Sequence, residues 1–354
     1  MTAMTPRGKR ALIGCGIGCG AILLIVIASA IAFITWIRQP ATPLGPERLL
    51  AGDTIGYLEW KLSREDPATD AFLQALIERT SRIPAQADAP LPEWVLDGIG
   101  QYQGRRNEAA MEQLLPVVAA WTLRPRSASG REEQIFLLSL RSMGNRMRFV
   151  DWIMGFTFGT DEGPAEVHEH GDETIYRITG ENGGDFTFFI RDGSIYFTTD
   201  LESARGLVDR LASGVEAGRG AEALASLLAS IPAGRPLRAA VLNDAGAIPR
   251  ILGRVTGKSH PPDLSWDRLE SATLAGGFTE DRGFAARLDF HYTGNEPPDG
   301  TAEALAGMVA SALERWNLAV ESTVTIDGGR VGLDLLFPDL LDRARLGADE
   351  GASR

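Results

Sequence analysis

Beyond its first forty residues the chain has four histidines, His168, His170, His260 and His291, and no cysteine. His168 and His170 flank Glu169 in a stretch that reads as a strand. Residues two apart on a strand point to the same side, so both imidazoles, with a carboxylate from Asp172 or Glu173, can face one metal ion. The same letters suit a solvated edge strand beside the turn at Gly171. A helical His-x-x-x-His would be the stronger metal signature. The expectation is therefore no metal and no cofactor.

Other constellations are weaker. Ser265 follows His260 and Asp263 closely, which supplies the letters of a hydrolytic triad. Triads are assembled from distant segments, however, and these three share one Pro-rich loop. There is no Gly-x-Ser-x-Gly elbow and no outer thiol to serve as a nucleophile. The glycines at 98–104 lack the Lys-Ser/Thr that completes a phosphate loop. Acid pairs such as Asp161/Glu162 and Asp349/Glu350 read as solvated turns and tail. A glycosidase-type carboxylate pair is not legible without a fold. Trp60, Trp94, Trp121, Trp152, Trp266 and Trp316 either line a ligand groove or, as the simpler expectation, fill the core. No catalytic residue is assigned, and the alternative kept open is a hydrolase whose carboxylates are not recognisable from spacing.

The elements that carry these residues begin at the N-terminus. Residues 11–37 contain no charge, and 21–37 are almost wholly apolar. As a helix at about 1.5 Å per residue the run reaches roughly 40 Å, against a hydrocarbon core of about 30 Å. Trp36 stands where an interfacial aromatic is expected, and Arg38 closes the span. Arg7, Lys9 and Arg10 precede it with no acid, which favours a cytoplasmic N-terminus. Small residues at 28–30 and 30–32 offer signal-peptide cleavage sites. Apolar sequence continues past them through Phe33, Ile34, Trp36 and Ile37, which favours an uncleaved anchor. Leu12-Ile13-Gly14-Cys15 has the letters of a lipobox, but only three apolar residues precede the cysteine.

Gly14, Gly16, Gly18 and Gly20 form two overlapping small-xxx-small pairs, at which a second helix can approach closely. Cys15 and Cys19 lie beside them on one helix face. A homodimer or a partner helix held there is the expectation. The formal net charge is −12, and removing the three N-terminal positives leaves −15 on the rest. That balance disfavours both nucleic acid and anionic lipid headgroups as partners.

The predicted organisation is a cytoplasmic tail (1–10), a transmembrane helix (11–37), a Pro-rich stalk (38–48), a first lobe (49–214), a second lobe (215–346) and a disordered tail (347–354). Strands are predicted at 54–62, 117–123, 134–140, 165–170, 173–179, 185–190, 194–199, 237–242, 269–279, 284–292, 318–326 and 330–337. Helices are predicted at 67–83, 92–100, 108–115, 145–158, 200–212, 221–231, 245–255, 301–316 and 338–346. Hairpins interrupted by single helices argue for an α+β fold, antiparallel sheets with packed helices. The rhythm recurs in 117–158, 165–214, 269–316 and 318–346 without a letter-by-letter repeat.

Two segments carry a resemblance. Residues 48–60 (RLLAGDTIGYLEW) open the domain after the stalk, and residues 192–212 run from an Asp-Gly turn through a strand into an amphipathic helix. With the preceding tail, span and stalk they resemble large bacterial membrane-anchored ectodomain families of unknown function found in the cell envelope. The resemblance implies an inner-membrane, single-pass protein whose outer domain binds an envelope protein or lipid, or plays a structural part. It brings no catalytic residue to carry over.

Overall fold

A computed structural model describes residues 29, 32–36, 39, 49–81, 105–109, 111–112, 115–126, 132–140, 144–158, 165–179, 185–213, 219–232, 234–256, 265–281, 283–315 and 320–338. Both predicted tails, most of the predicted span and stalk, the glycines and cysteines at 14–20, the helix at 92–100, residues 339–346 of the last predicted helix, and Trp94 and Trp316 lie outside them. Residues 29 and 32–36 are helical. Among the described residues no helix is long and apolar enough to cross a membrane.

The fold is α+β. Twelve strands are described: β1 (Gly56–Leu62), β2 (Val117–Arg126), β3 (Glu132–Leu140), β4 (Glu166–His170), β5 (Glu173–Thr179), β6 (Asp185–Arg191), β7 (Ser194–Thr198), β8 (Leu237–Leu242), β9 (Leu269–Phe278), β10 (Phe284–Tyr292), β11 (Glu321–Asp327) and β12 (Arg330–Phe337). The helices are α1 (Pro67–Ser81), α2 (Gly144–Phe158), α3 (Leu201–Ser213), α4 (Arg219–Ser230), α5 (Ala247–Thr256) and α6 (Thr301–Arg315). Instead of separate sheets, all twelve strands join in one, in the order β11-β12-β10-β9-β8-β1-β2-β3-β7-β6-β5-β4. The seam is β1 against β8, antiparallel, with Glu59 opposite Arg238. A pairing between residues so far apart in sequence leaves no local periodic trace, which is why hairpin reading sees only the pieces.

The order exposes a duplication that the letters hide. Each half runs strand, helix, two strands, helix, then hairpin strands, and in each the third strand pairs with the last. The first half has one hairpin more. The two leading strands, β1 and β8, pair with each other, as a two-fold axis through the seam would relate them. The break predicted near residue 214 falls between α3 and α4.

Local chemistry explains the turns. Asp192 and Gly193 both have positive φ (50° and 75°) between β6 and β7, the backbone that a two-residue Asp-Gly hairpin requires. Asp200 caps α3, its Oδ1 accepting from the Ser203 amide at 2.8 Å. The helix predicted at 245–255 starts later, because Ala245 takes a left-handed φ of 48° inside a short 3-10 turn.

Two cores lie on opposite faces of the sheet. On one face, Tyr57, Ile135, Phe189 and Tyr196 pack under α3 and α4 through Leu207 and Leu224. On the other, Phe290, Val331 and Leu333 pack under α5 and α6 through Ile248, Leu305 and Met308. Helix α1 reaches across the seam, stacking Phe72 on Phe278 of β9 with ring centroids 4.1 Å apart. The tryptophans divide, with Trp121 packed against a buried cluster of Ile55, Leu123 and Ala247. Trp266 packs against the second core, but Trp60 and Trp152 are exposed.

Candidate functional site

Strand β10 reads Phe-Ala-Ala-Arg-Leu-Asp-Phe-His-Tyr. Its odd-numbered positions Arg287, Asp289 and His291 therefore share one face, and Leu288 and Phe290 share the other. In register, Arg287 faces Asp334 of β12, and His291 faces Arg330. Beyond them β11 contributes Thr323 and Thr325, opposite Asp334 and Gly332. On the inner side, β9 sets Thr273 opposite Asp289. This is the face that carries the first core further along the sheet. Here it is polar, and the end of α4, with Ser230 and Ile231, stands at its margin. The result is a groove of about 740 Å³.

Arg287 organises the groove. Its Nε donates to both oxygens of Asp289 at 3.1 Å, and its Nη1 to both oxygens of Asp334 at 3.1 and 3.0 Å. Nη2 reaches Thr325 Oγ1 at 3.4 Å. Gly332 makes room for this crossing: a methyl group there would come within 2.6 Å of Arg287 Nη2 and 2.8 Å of Asp289 Oδ1. The hydrogen bond to Asp289, more than any other influence, holds the guanidinium pKa above its ordinary value. Arg330 adds ion pairs to Asp289 (3.7 Å) and Asp327 (3.5 Å). His291 Nε2 lies 3.5 Å from Thr273 Oγ1. Burial pushes the His291 imidazole below its ordinary 6.5, Asp289 opposing and Arg330 assisting.

Chemically, the groove offers fixed donors and acceptors. Both carboxylates at its floor are held by hydrogen bonds to one arginine. Of the groove residues only His291 stands out among the sequence's candidates, although a signal for the others is there. Arg287, Asp289 and His291 alternate with apolar residues at period two, on a strand whose hairpin partner brings Asp334.

The constellations singled out from the sequence lie elsewhere. His168 and His170 do share a face of β4, the edge strand, as period two requires. Each meets a separate carboxylate: His168 Nε2 lies 3.5 Å from Glu166, and His170 Nε2 lies 2.9 Å from Asp209 of α3. Glu173 is drawn to Arg191 at 3.4 Å instead. No group of three or more His, Cys, Asp or Glu side chains among the described residues is placed to hold a metal ion. Ser265 is described, with a positive φ of 52°; His260 and Asp263 lie outside the described residues.

A second charged cluster sits at the seam, on the face of the first core. Glu59 is 2% exposed. It accepts from Tyr57 Oη at 2.8 Å and from Arg238 Nε at 2.6 Å, with Lys61 Nζ 3.4 Å away. This cluster ties the two halves together and leaves no oxygen of Glu59 unengaged.

Comparison with protein-family models, with curated proteins and with solved structures finds no match for this chain.

Proposed function

We propose that the chain is a single-pass, membrane-anchored protein of the bacterial cell envelope, whose outer domain binds a polar partner rather than transforming it. The observation that carries this reading is the commitment of both groove carboxylates, Asp289 and Asp334, to Arg287. Charges that neutralise one another inside a fixed frame favour recognition, since their geometry is set before the partner arrives. The anchor itself rests on the uncharged run at 11–37 and the basic residues before it.

Two experiments test the reading. Reporter fusions after residue 48 are expected to be active only outside the cytoplasmic membrane; cytoplasmic activity overturns the anchor. The full chain in detergent, mixed with solubilised cell-wall glycan, is expected to release no product. Cleavage, lost on Asp289→Asn, would establish the alternative, an extracytoplasmic hydrolase.

A further inference from the structure

Helix α2 presents an outer side that the domain does not bury. Trp152 is 68% exposed, Ile153 41% and Val150 38%. The helix is not loosely attached, because its inner side is fixed to the sheet. Tyr176, fully buried on β5, donates its hydroxyl to Asp151 Oδ1 at 2.9 Å and to the Asp151 carbonyl at 3.1 Å. With Asp151 turned inward, the residues next to it must point outward at helical spacing.

This outer side is continuous with the end of the uncharged N-terminal run. Phe33 packs edge-on against Phe149 of α2, ring centroids 5.4 Å apart. Phe149 stacks on Trp152 at 5.9 Å, and Phe33 meets Trp36 at 6.0 Å. Asn145, at the start of α2, donates its amide to the Trp36 carbonyl and to Gln39 Oε1, both at 2.8 Å. The Trp36 carbonyl, at a helix end, also accepts from the Gln39 amide at 3.2 Å, and α2 supplies its second donor. An aromatic chain, Trp36–Phe33–Phe149–Trp152, thus joins the run to the helix, and Phe33, Ile34 and Trp36 are themselves exposed.

We infer that α2 lies along the outer interface of the membrane in which the run at 11–37 is anchored, with Trp152, Ile153 and Val150 among the lipid headgroups. The inference rests on the anchor proposed above and goes beyond it by fixing how the domain sits on the bilayer. Phe33 lies about one helical turn inside Trp36 along the run, so a helix seated against Phe33 is held at headgroup depth. Indole is the side chain best suited to that depth, with an apolar body and a polar N–H. Arg148 is exposed on the same helix, and a cation there can meet lipid phosphate. A protein partner fits less well. A stable interface buries about 800 Å² per partner, roughly the area of three to five fully buried aromatics, whereas among its described side chains α2 exposes one aromatic, Trp152, with Ile153 and Val150 beside it. A lipid surface sets no such minimum.

The test uses the full chain reconstituted in vesicles of phosphatidylethanolamine and phosphatidylglycerol, some of it carrying brominated acyl chains that quench nearby indoles. Trp36 and Trp152 are the indoles placed at headgroup level, so Trp152→Phe is expected to remove roughly half of the lipid-quenchable fluorescence. Trp60→Phe, at the centre of the sheet, leaves it unchanged. Trp36→Phe reports on the anchor separately. If Trp36 is quenched and Trp152 is not, the inference fails and the anchor stands. If neither is quenched, both fail. Trp152 shielded from aqueous acrylamide yet untouched by brominated lipid would mean that a protein covers α2, which also overturns the inference.

Discussion

The two halves of the sheet follow one plan and use the same face in opposite ways. In the first half β3, β6 and β7 turn Ile135, Leu137, Phe189 and Tyr196 toward α3 and α4, and these side chains are at most 1% exposed. In the second half β10, β12 and β11 turn Arg287, Asp289, Asp334 and Thr325 to that same side, around a groove. Strand order and connection do not decide whether a face becomes core or surface. The side chains at every second position do. A duplicated frame can therefore keep its stability in one half and leave the other free to present chemistry.

The largest effect expected from breaking this contrast comes from the covered half. Phe189 is fully buried and stacks on Tyr196 with centroids 4.9 Å apart. Phe189→Ala removes that packing and opens a cavity, at a cost of about 3–5 kcal/mol. Chemical denaturation of the full chain in detergent measures it. A loss below about 1 kcal/mol would mean that the first half does not carry the core assigned to it.

Next comes the seam. Glu59→Ala leaves Arg238 facing a position that no longer neutralises it and removes the acceptor of the buried Tyr57 hydroxyl. Lost hydrogen bonds to a charged group are worth about 1.5–3 kcal/mol each, less than additively. We expect a fall of about 2–3 kcal/mol and a single unfolding transition in both proteins, since one sheet runs through both halves. Two separated transitions in the variant would show that the seam is what couples the halves.

A smaller, pH-dependent effect is expected at the outer edge of the first half. Burial, more than any other influence, raises the Glu173 pKa from an ordinary 4.5 to about 7, with Asp192, Asp151 and Asp172 adding to it and Arg191 opposing. Below pH 4.5 the group is protonated in both folded and unfolded chains and its burial is harmless. Between 4.5 and 7 only the unfolded chain ionises, so stability falls as pH rises, and the loss is complete above 7. Glu173→Gln, neutral throughout, is expected to melt higher than wild type above pH 7, with the gap closing below pH 4.5. An equal gap at both ends would assign the effect to packing.

Much of this frame was legible in the letters. Period two located β4–β7 and both C-terminal hairpins, and Asp-Gly located the turn at Asp192. What stayed hidden was long-range or depended on facing. The β1–β8 pairing joins Glu59 to Arg238 across 179 positions, and no window spans that distance. Composition alone places Trp152 in the core, where tryptophan usually goes. Its outward direction follows from Asp151 bonding to Tyr176, a contact between separate elements. The groove was half visible. The alternation of Arg287, Asp289 and His291 was there to read, but that both carboxylates converge on one guanidinium depends on strand register.

The smallest stability effect, and the sharpest separation of frame from groove, is expected from Gly332→Ala. Gly332 sits on β12 between Val331 and Leu333, both fully buried on the opposite face. Its backbone is not among those with positive φ, so alanine meets no conformational obstacle there. The added methyl instead collides with three side-chain ends, Arg287 Nη2 at 2.6 Å and Asp289 Oδ1 and Thr325 Oγ1 at 2.8 Å. All three are side-chain atoms and none is backbone. Arg287 must then leave its place between Asp289 and Asp334, and only partly exposed ion pairs are lost, a change of less than about 1 kcal/mol. Denaturation of the full chain is therefore expected to show near wild-type stability, while capture of a polar envelope partner through the groove is lost. A variant that unfolds easily would place the Arg287 network in the frame. One that is stable and still binds would remove the groove from the proposed function and leave the open face of the second half as solvated surface.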